Sequence, residues 1–189
     1  MKSLRAWTGI LAALALCGCA AVGSDLRRPG GVNRLPLDAR IGLVEFRQCG
    51  AAYLDRLNPD YYGKDTKATF LLSCTQMGYP KAFHDGLLQR LEERLGKKLV
   101  RVRTDKPFSA KEVLRDAEKL GLDYVLGGDL SAMGETGDEA VVSAQLFALS
   151  VANRKVVLHG RIKKSDSRGR MPNVIDAVAD ELFLKAFIE

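Results

Sequence analysis

Three stretches of the chain carry a helical hydrophobic repeat, and five carry strand-like runs. In YPKAFHDGLLQRLEERLG, Phe83, Leu87, Leu91 and Leu95 recur every four residues and Leu88 joins them, so one stripe is apolar. Pro80 suits a first helical turn, and Gly96 suits a left-handed cap at the end. In SAKEVLRDAEKLG, Ser109 and Glu112 have capping-box spacing, Val113, Leu114, Ala117 and Leu120 form the inner stripe, and Gly121 closes it. In NVIDAVADELFLKAF, Asn173 is a candidate cap, with Val174, Ile175, Val178, Leu182 and Ala186 facing inward. IGLVEF (41–46), LVRVR (99–103), DYVLGGDLSAM (123–133), AVVSAQLFALSV (140–151) and KVVLHGRIKK (155–164) read as strands, the last two joined by a short hairpin turn. The order β, α, β, α, β, β, β, α predicts an α/β (α+β) domain: a mixed sheet of about five strands packed by about three helices.

The first residues do not belong to that pattern. Lys2 and Arg5 precede an apolar run from Ala6 to Leu16, the composition of a signal peptide. The run is shorter than the ~20 apolar residues that a helix needs to cross a bilayer core. Leu16, Cys17, Gly18 and Cys19 resemble a bacterial lipobox: an aliphatic residue three before the cysteine and a small one directly before it. Cys17 is preceded by the bulky Leu16 and fits less well. The resemblance implies lipidation of Cys19 and removal of residues 1–18. Several acyl chains on one residue hold a protein on a membrane where a single chain is marginal. Ala20, rather than Asp, follows the cysteine, which implies the outer membrane. The stretch 19–37 contains Gly-Gly and two prolines without a periodic face, and reads as a flexible tether to a single periplasmic domain over 38–189.

IGLVEF, the following amphipathic helix, VRV, LGLDYVLGGDL and QLFALSVANRKVV resemble the periplasmic α/β domain of an envelope lipoprotein group. That group includes the curli-secretion lipoprotein, the Pel polysaccharide lipoprotein, flagellar outer-membrane lipoproteins and the N-terminal domain of the Tol propeller protein. Leu120, Gly121, Asp123, Tyr124, Val125, Leu126 and Gly128 match its most distinctive strand. Leu149, Asn153 and Val156 match its hairpin loosely, without the Thr-Gly pair. The resemblance spans roughly residues 38–187 and implies an anticodon-binding-like periplasmic fold. It implies a structural or assembly role in an envelope, secretion or flagellar apparatus, with protein partners and self-association among the forms this takes. A monomeric regulator of an envelope enzyme or cell-wall synthase is the alternative. The matched residues carry no catalytic role, so no enzyme activity and no cofactor are expected.

An insertion at 47–79 separates the first strand from its helix, and segments of this length tend to be functional or ordered by something. It holds Cys49 and Cys74, the only cysteines left after processing. An oxidising periplasm favours a disulfide between them, two unpaired buried thiols being the other reading. Tyr53, Tyr61 and Tyr62 lie between the cysteines, and tyrosine is favoured at interfaces, so these three are the candidate partner-binding residues.

Other chemistry is weaker. Cys49, Cys74, His84 and His159 lack the paired spacing of a zinc site. Cys74 with His84 and Asp85 makes a poor nucleophile and base, because adjacent helical residues point in different directions. Gly127-Gly128-Asp129 lacks the frame of a phosphate loop and reads as close strand packing under a helix. The net charge of +6 includes Lys2 and Arg5, and the remaining cations are dispersed, so no nucleic-acid partner is expected. RIKKSDSRGR (161–170) is basic and reads as a solvated loop, with an anionic polymer or lipid headgroups as its alternative contact.

Overall fold

The computed structural model describes residues 23–29, 34–49, 74–75, 78–103, 110–136 and 139–189. Residues 1–18, expected to form a signal segment, and Cys19, Tyr53, Tyr61, Tyr62 and Ser109 lie outside the described residues. Seven strand segments form one mixed sheet: β1 (Ile41–Val44), β2 (Arg47–Cys49), β3 (Cys74–Thr75), β4 (Val100–Val102), β5 (Tyr124–Thr136), β6 (Glu139–Ser150) and β7 (Lys155–Asp166). The helices are α1 (Gly78–Leu95), α2 (Ala110–Lys119) and α3 (Met171–Phe183), the last running into a π-helical turn over Leu184–Ile188.

β5 organises the sheet. Along one edge it pairs antiparallel with β6 over nearly its full length, and β6 continues to β7. Its other edge is shared. β1 lies parallel against Tyr124–Leu126, and β2 lies parallel against Asp129–Leu130. β4 then flanks β1 in parallel, and β3 flanks β2 antiparallel. The sheet is therefore five strands wide, as the sequence pattern predicts. We call the end at Tyr124 lower and the end at Thr136 upper.

The two faces are covered differently. Phe83, Leu87, Leu88 and Leu91 of α1 and Val174, Ile175, Val178 and Leu182 of α3 pack on the first face, over Leu43, Leu126, Leu130, Leu146 and Ile162. Val113, Leu114 and Ala117 of α2 pack on the second, over Val44, Val102, Val125, Phe147 and Leu149. α2 joins β4 to β5 at the lower end, and its core cluster reaches no higher on β5 than Val125.

Four details depart from the sequence reading. Leu120, expected on the inner stripe of α2, is 41% exposed. The helix stops at Lys119 and Gly121 takes φ +62°, which swings the chain so that Leu122 fills the inner position instead. Asn173 does not cap α3. Pro172 fits the first turn, the helix starts at Met171, and the Asn173 amide donates to Asp166 Oδ2 at 2.6 Å. The paired glycines pack under aromatic rings rather than a helix. A Cβ on Gly127 would lie 2.6 Å from the Phe147 ring, and one on Gly128 would meet the Gln145 carbonyl and the Phe46 ring.

The fourth departure concerns the 19–37 stretch, part of which is docked rather than flexible. Residues 23–27 run antiparallel along the free edge of β7. Asp25 N–H donates to Arg161 O (2.9 Å), Arg27 N–H to His159 O (2.7 Å), His159 N–H to Arg27 O (2.9 Å) and Lys163 N–H to Gly23 O (2.9 Å). Leu26 and Leu35 are buried in the first-face core, and Leu35 N–H bonds Ala186 O at 2.9 Å. An unsatisfied sheet edge and two apolar side chains together outweigh the freedom that the Gly- and Pro-containing sequence suggests.

Candidate functional site

The upper part of the second sheet face is the region that the core leaves to other uses. Strand alternation carries Asp129, Gln145 and Arg161 to this face in one row, Gly127, Phe147 and His159 in the row below, and Ser143 and Lys163 in the row above. Ser131, at a bulge in β5, reaches across to Ser143, donating to its Oγ at 2.8 Å and its carbonyl at 3.0 Å. Phe147 belongs to the lower core, whereas Ser143, Gln145 and His159 are half-buried and Arg161 and Lys163 exposed. Asp129 is only 2% exposed and stands in register between Gln145 and Arg47. A carboxylate so enclosed is held by its neighbours, because an ion without partners is costly to bury.

The two cysteines of the insertion meet across the sheet edge. The antiparallel register of β2 and β3 pairs Cys49 directly with Cys74 and Gln48 with Thr75. The two described ends of the insertion therefore form a two-stranded stem at the upper end.

His84 lies deeper, on α1. Its Nδ1 bonds Val44 O at 3.2 Å, so this nitrogen carries the hydrogen and Nε2 keeps the lone pair. Nε2 is buried and makes no hydrogen bond among the described residues. The ring packs beside Phe46, which meets Phe83 edge-on at 4.9 Å between centroids. Burial, reinforced by the Arg101 guanidinium, holds the imidazole pKa below its ordinary value. Asp85 points elsewhere, pairing with Arg101 at 2.7 Å. The structure thus gives His84 a packing role and does not align it with Asp85. Among the described residues no group of three or more His, Cys, Asp or Glu side chains is placed to hold a metal. No described helix is long and apolar enough to cross a membrane.

Sequence reasoning missed two features of this region: the strap of residues 23–27 and the polar upper face. One signal for the strap was present. Gly160 interrupts an otherwise strand-like run, and glycine inside a strand often marks close approach of another backbone. It takes φ +150°, and a Cβ there would stand 2.5 Å from Asp25 O and 2.7 Å from Leu26 Cα.

No family model matches the sequence, and no curated protein is similar to it. Solved structures do share the fold. The PelC dodecamer from Paraburkholderia phytofirmans superposes with a TM-score of 0.57 at 14% identity, over 88% of this chain and 100% of that one. A single-substitution variant of the same dodecamer gives 0.53 at 15% identity, over 86% and 98%. Lipoprotein GNA1162 from Neisseria meningitidis superposes less well, with a TM-score of 0.44 at 12% identity over 76% of this chain and 96% of its own. At these identities the likeness establishes a common fold: the chain has the architecture of the PelC protomer.

Proposed function

We propose that the chain is an outer-membrane lipoprotein of the periplasm, anchored through Cys19, which binds protein partners of an envelope apparatus through its 47–79 insertion. The observation that carries this reading is the stem. The two ends of the insertion, β2 and β3, pair antiparallel at one sheet edge, and their opposed residues are Cys49 and Cys74. A disulfide there would fix the base of a tyrosine-bearing segment at small cost to the core. The shared fold with a protein solved as a dodecamer supports self-association as one form of the role. No catalytic constellation enters the proposal.

Two measurements test it. Metabolic labelling with a fatty-acid analogue should mark the wild type and the Cys17→Ala variant and leave Cys19→Ala unmarked; label persisting in Cys19→Ala would refute the anchor. Light scattering on the soluble domain should show mass rising with concentration if copies assemble. A single monomer at every concentration would leave other proteins as the only partners.

A further inference from the structure

The docked strap fixes where an anchor at Cys19 would pull. Gly23 bonds β7 at Lys163, and Cys19 is four residues away, a reach of at most about 14 Å. Above Lys163, β7 continues three residues to Asp166, roughly 10 Å, before the exposed loop that holds Ser167, Arg168 and Arg170. The described strap therefore begins at the same end of β7 as this loop, and a lipid on Cys19 is held within about 14 Å of that end. A free 19–37 tether would allow any orientation, but the strap removes that freedom.

The charges agree with the geometry. Arg161, Lys163, Arg168 and Arg170 are exposed and carry no side-chain ion pair among the described residues, whereas Lys164 is engaged by Glu181 at 3.3 Å. The neighbouring acids are used internally. Asp25 accepts a hydrogen bond from Arg161 N–H, and Asp166 accepts from Arg168 N–H at 3.0 Å and from Asn173. The other described acids of the upper end, Glu135 and Glu139, belong to the facing ends of β5 and β6, separated from the strap by β7. The basic corner is the one at which the described strap begins, at Gly23.

We infer that the upper end of the β7 edge, with Lys163, Arg168 and Arg170, is the membrane-contacting surface of the anchored protein, and that its partner is a bilayer surface bearing anionic headgroups. The inference rests on the Cys19 anchor proposed above. The upper sheet end also bears the stem of the insertion: by register Cys49 lies beside the bulge at Ser131, level with Ser143, Lys163 and Gly23. The insertion consequently starts on the bilayer side of the domain.

The test separates anchor from orientation. In one arm, protein extracted from cells is analysed by mass spectrometry for lipid on Cys19; its absence overturns the anchor reading and this surface with it. In the other, the chain from Cys19 onward, which contains every described residue, is ligated through its N-terminal cysteine to a thioester phospholipid. It is then placed on phosphatidylethanolamine–phosphatidylglycerol vesicles. A fluorescent amino acid replaces either Arg168 or Asn153, the latter exposed in the β6–β7 turn at the lower end. With a quencher on the lipid headgroups, the reporter at 168 should lose most of its emission and the one at 153 should keep it. Equal quenching, or the reverse order, overturns the orientation whatever the anchor. Asp25→Pro with Arg27→Pro removes two strap donors without touching the helices. In that variant the difference between the two reporters should vanish, and a difference that survives would show that the strap does not set the orientation.

Discussion

The lower and upper halves of β6 lie in the same sheet but in different surroundings. From Ala140 to Leu146 every second residue is buried, and from Leu146 to Ser150 all are. The change marks where α2 begins to cover the second face. Where helices flank the sheet on both sides, every position of β6 is buried, the polar Ser150 included. Above that level one face is core and the other carries Asp129, Ser131, Ser143, Gln145 and His159. The two halves have separate jobs. The lower half is core on both faces, whereas the upper half is core on one face and bears the insertion stem, the strap and the basic loop. The contrast also locates where substitutions should cost stability and where they should cost binding.

The sharpest way to break this division is a pair of truncations two residues apart. Phe147→Ala removes a ring that fills the space beside Gly127, and should lower the unfolding free energy by ~3–5 kcal/mol in urea titration. Gln145→Ala on the same face of the same strand should shift it by no more than ~0.5 kcal/mol. Comparable losses would mean that the upper face is core after all.

Next in size is the stem. If Cys49 and Cys74 are joined, reducing the bond should destabilise the oxidised protein by ~3 kcal/mol, the chain-entropy value for a loop of this length. A non-reducing peptide map should recover the two cysteines in one cross-linked peptide. Two free thiols in protein purified from the periplasm would remove the clasp from the account.

His84 gives the division a pH signature. Its folded-state pKa lies below the unfolded value, because burial and Arg101 disfavour the imidazolium. The stabilisation is therefore fully present above about pH 6.5 and is lost as pH falls below that towards the folded value. Urea midpoints compared at pH 7.5 and 5.5 should drop more for wild type than for His84→Phe. Equal drops would assign the acid sensitivity to other groups.

The smallest effect belongs to the bulge. Ser131→Ala breaks a half-exposed hydroxyl pair with Ser143 and should cost about 1 kcal/mol or less. A larger loss would make the bulge a structural keystone rather than a local bend in the strand.

What the sequence revealed follows the same line. The helical stripes and strand runs were legible because their periodicity comes from burial, and Val113, Leu114, Ala117, Val174, Ile175 and Val178 all face the core as that periodicity requires. Leu120 and Asn173 misled because helix ends are decided by one or two residues, here Gly121 and Pro172. The strap was hidden for a physical reason. Residues 23–27 contain one buried apolar side chain, Leu26, and attach mainly by backbone hydrogen bonds, which leave no side-chain pattern. The cross-strand meeting of Cys49 and Cys74 could be suspected from composition, but its register became visible only once β2 and β3 were paired.

The central claim is that the insertion is the partner-binding feature of an otherwise self-sufficient domain. Its most direct test is Tyr61→Ala combined with Tyr62→Ala, purified from envelopes beside wild type, with melting temperature and co-purifying proteins measured on the same samples. The account predicts an unchanged melting temperature and the loss of those partners. A melting temperature lower by several degrees, with the partners retained, would contradict it and make the insertion part of the fold.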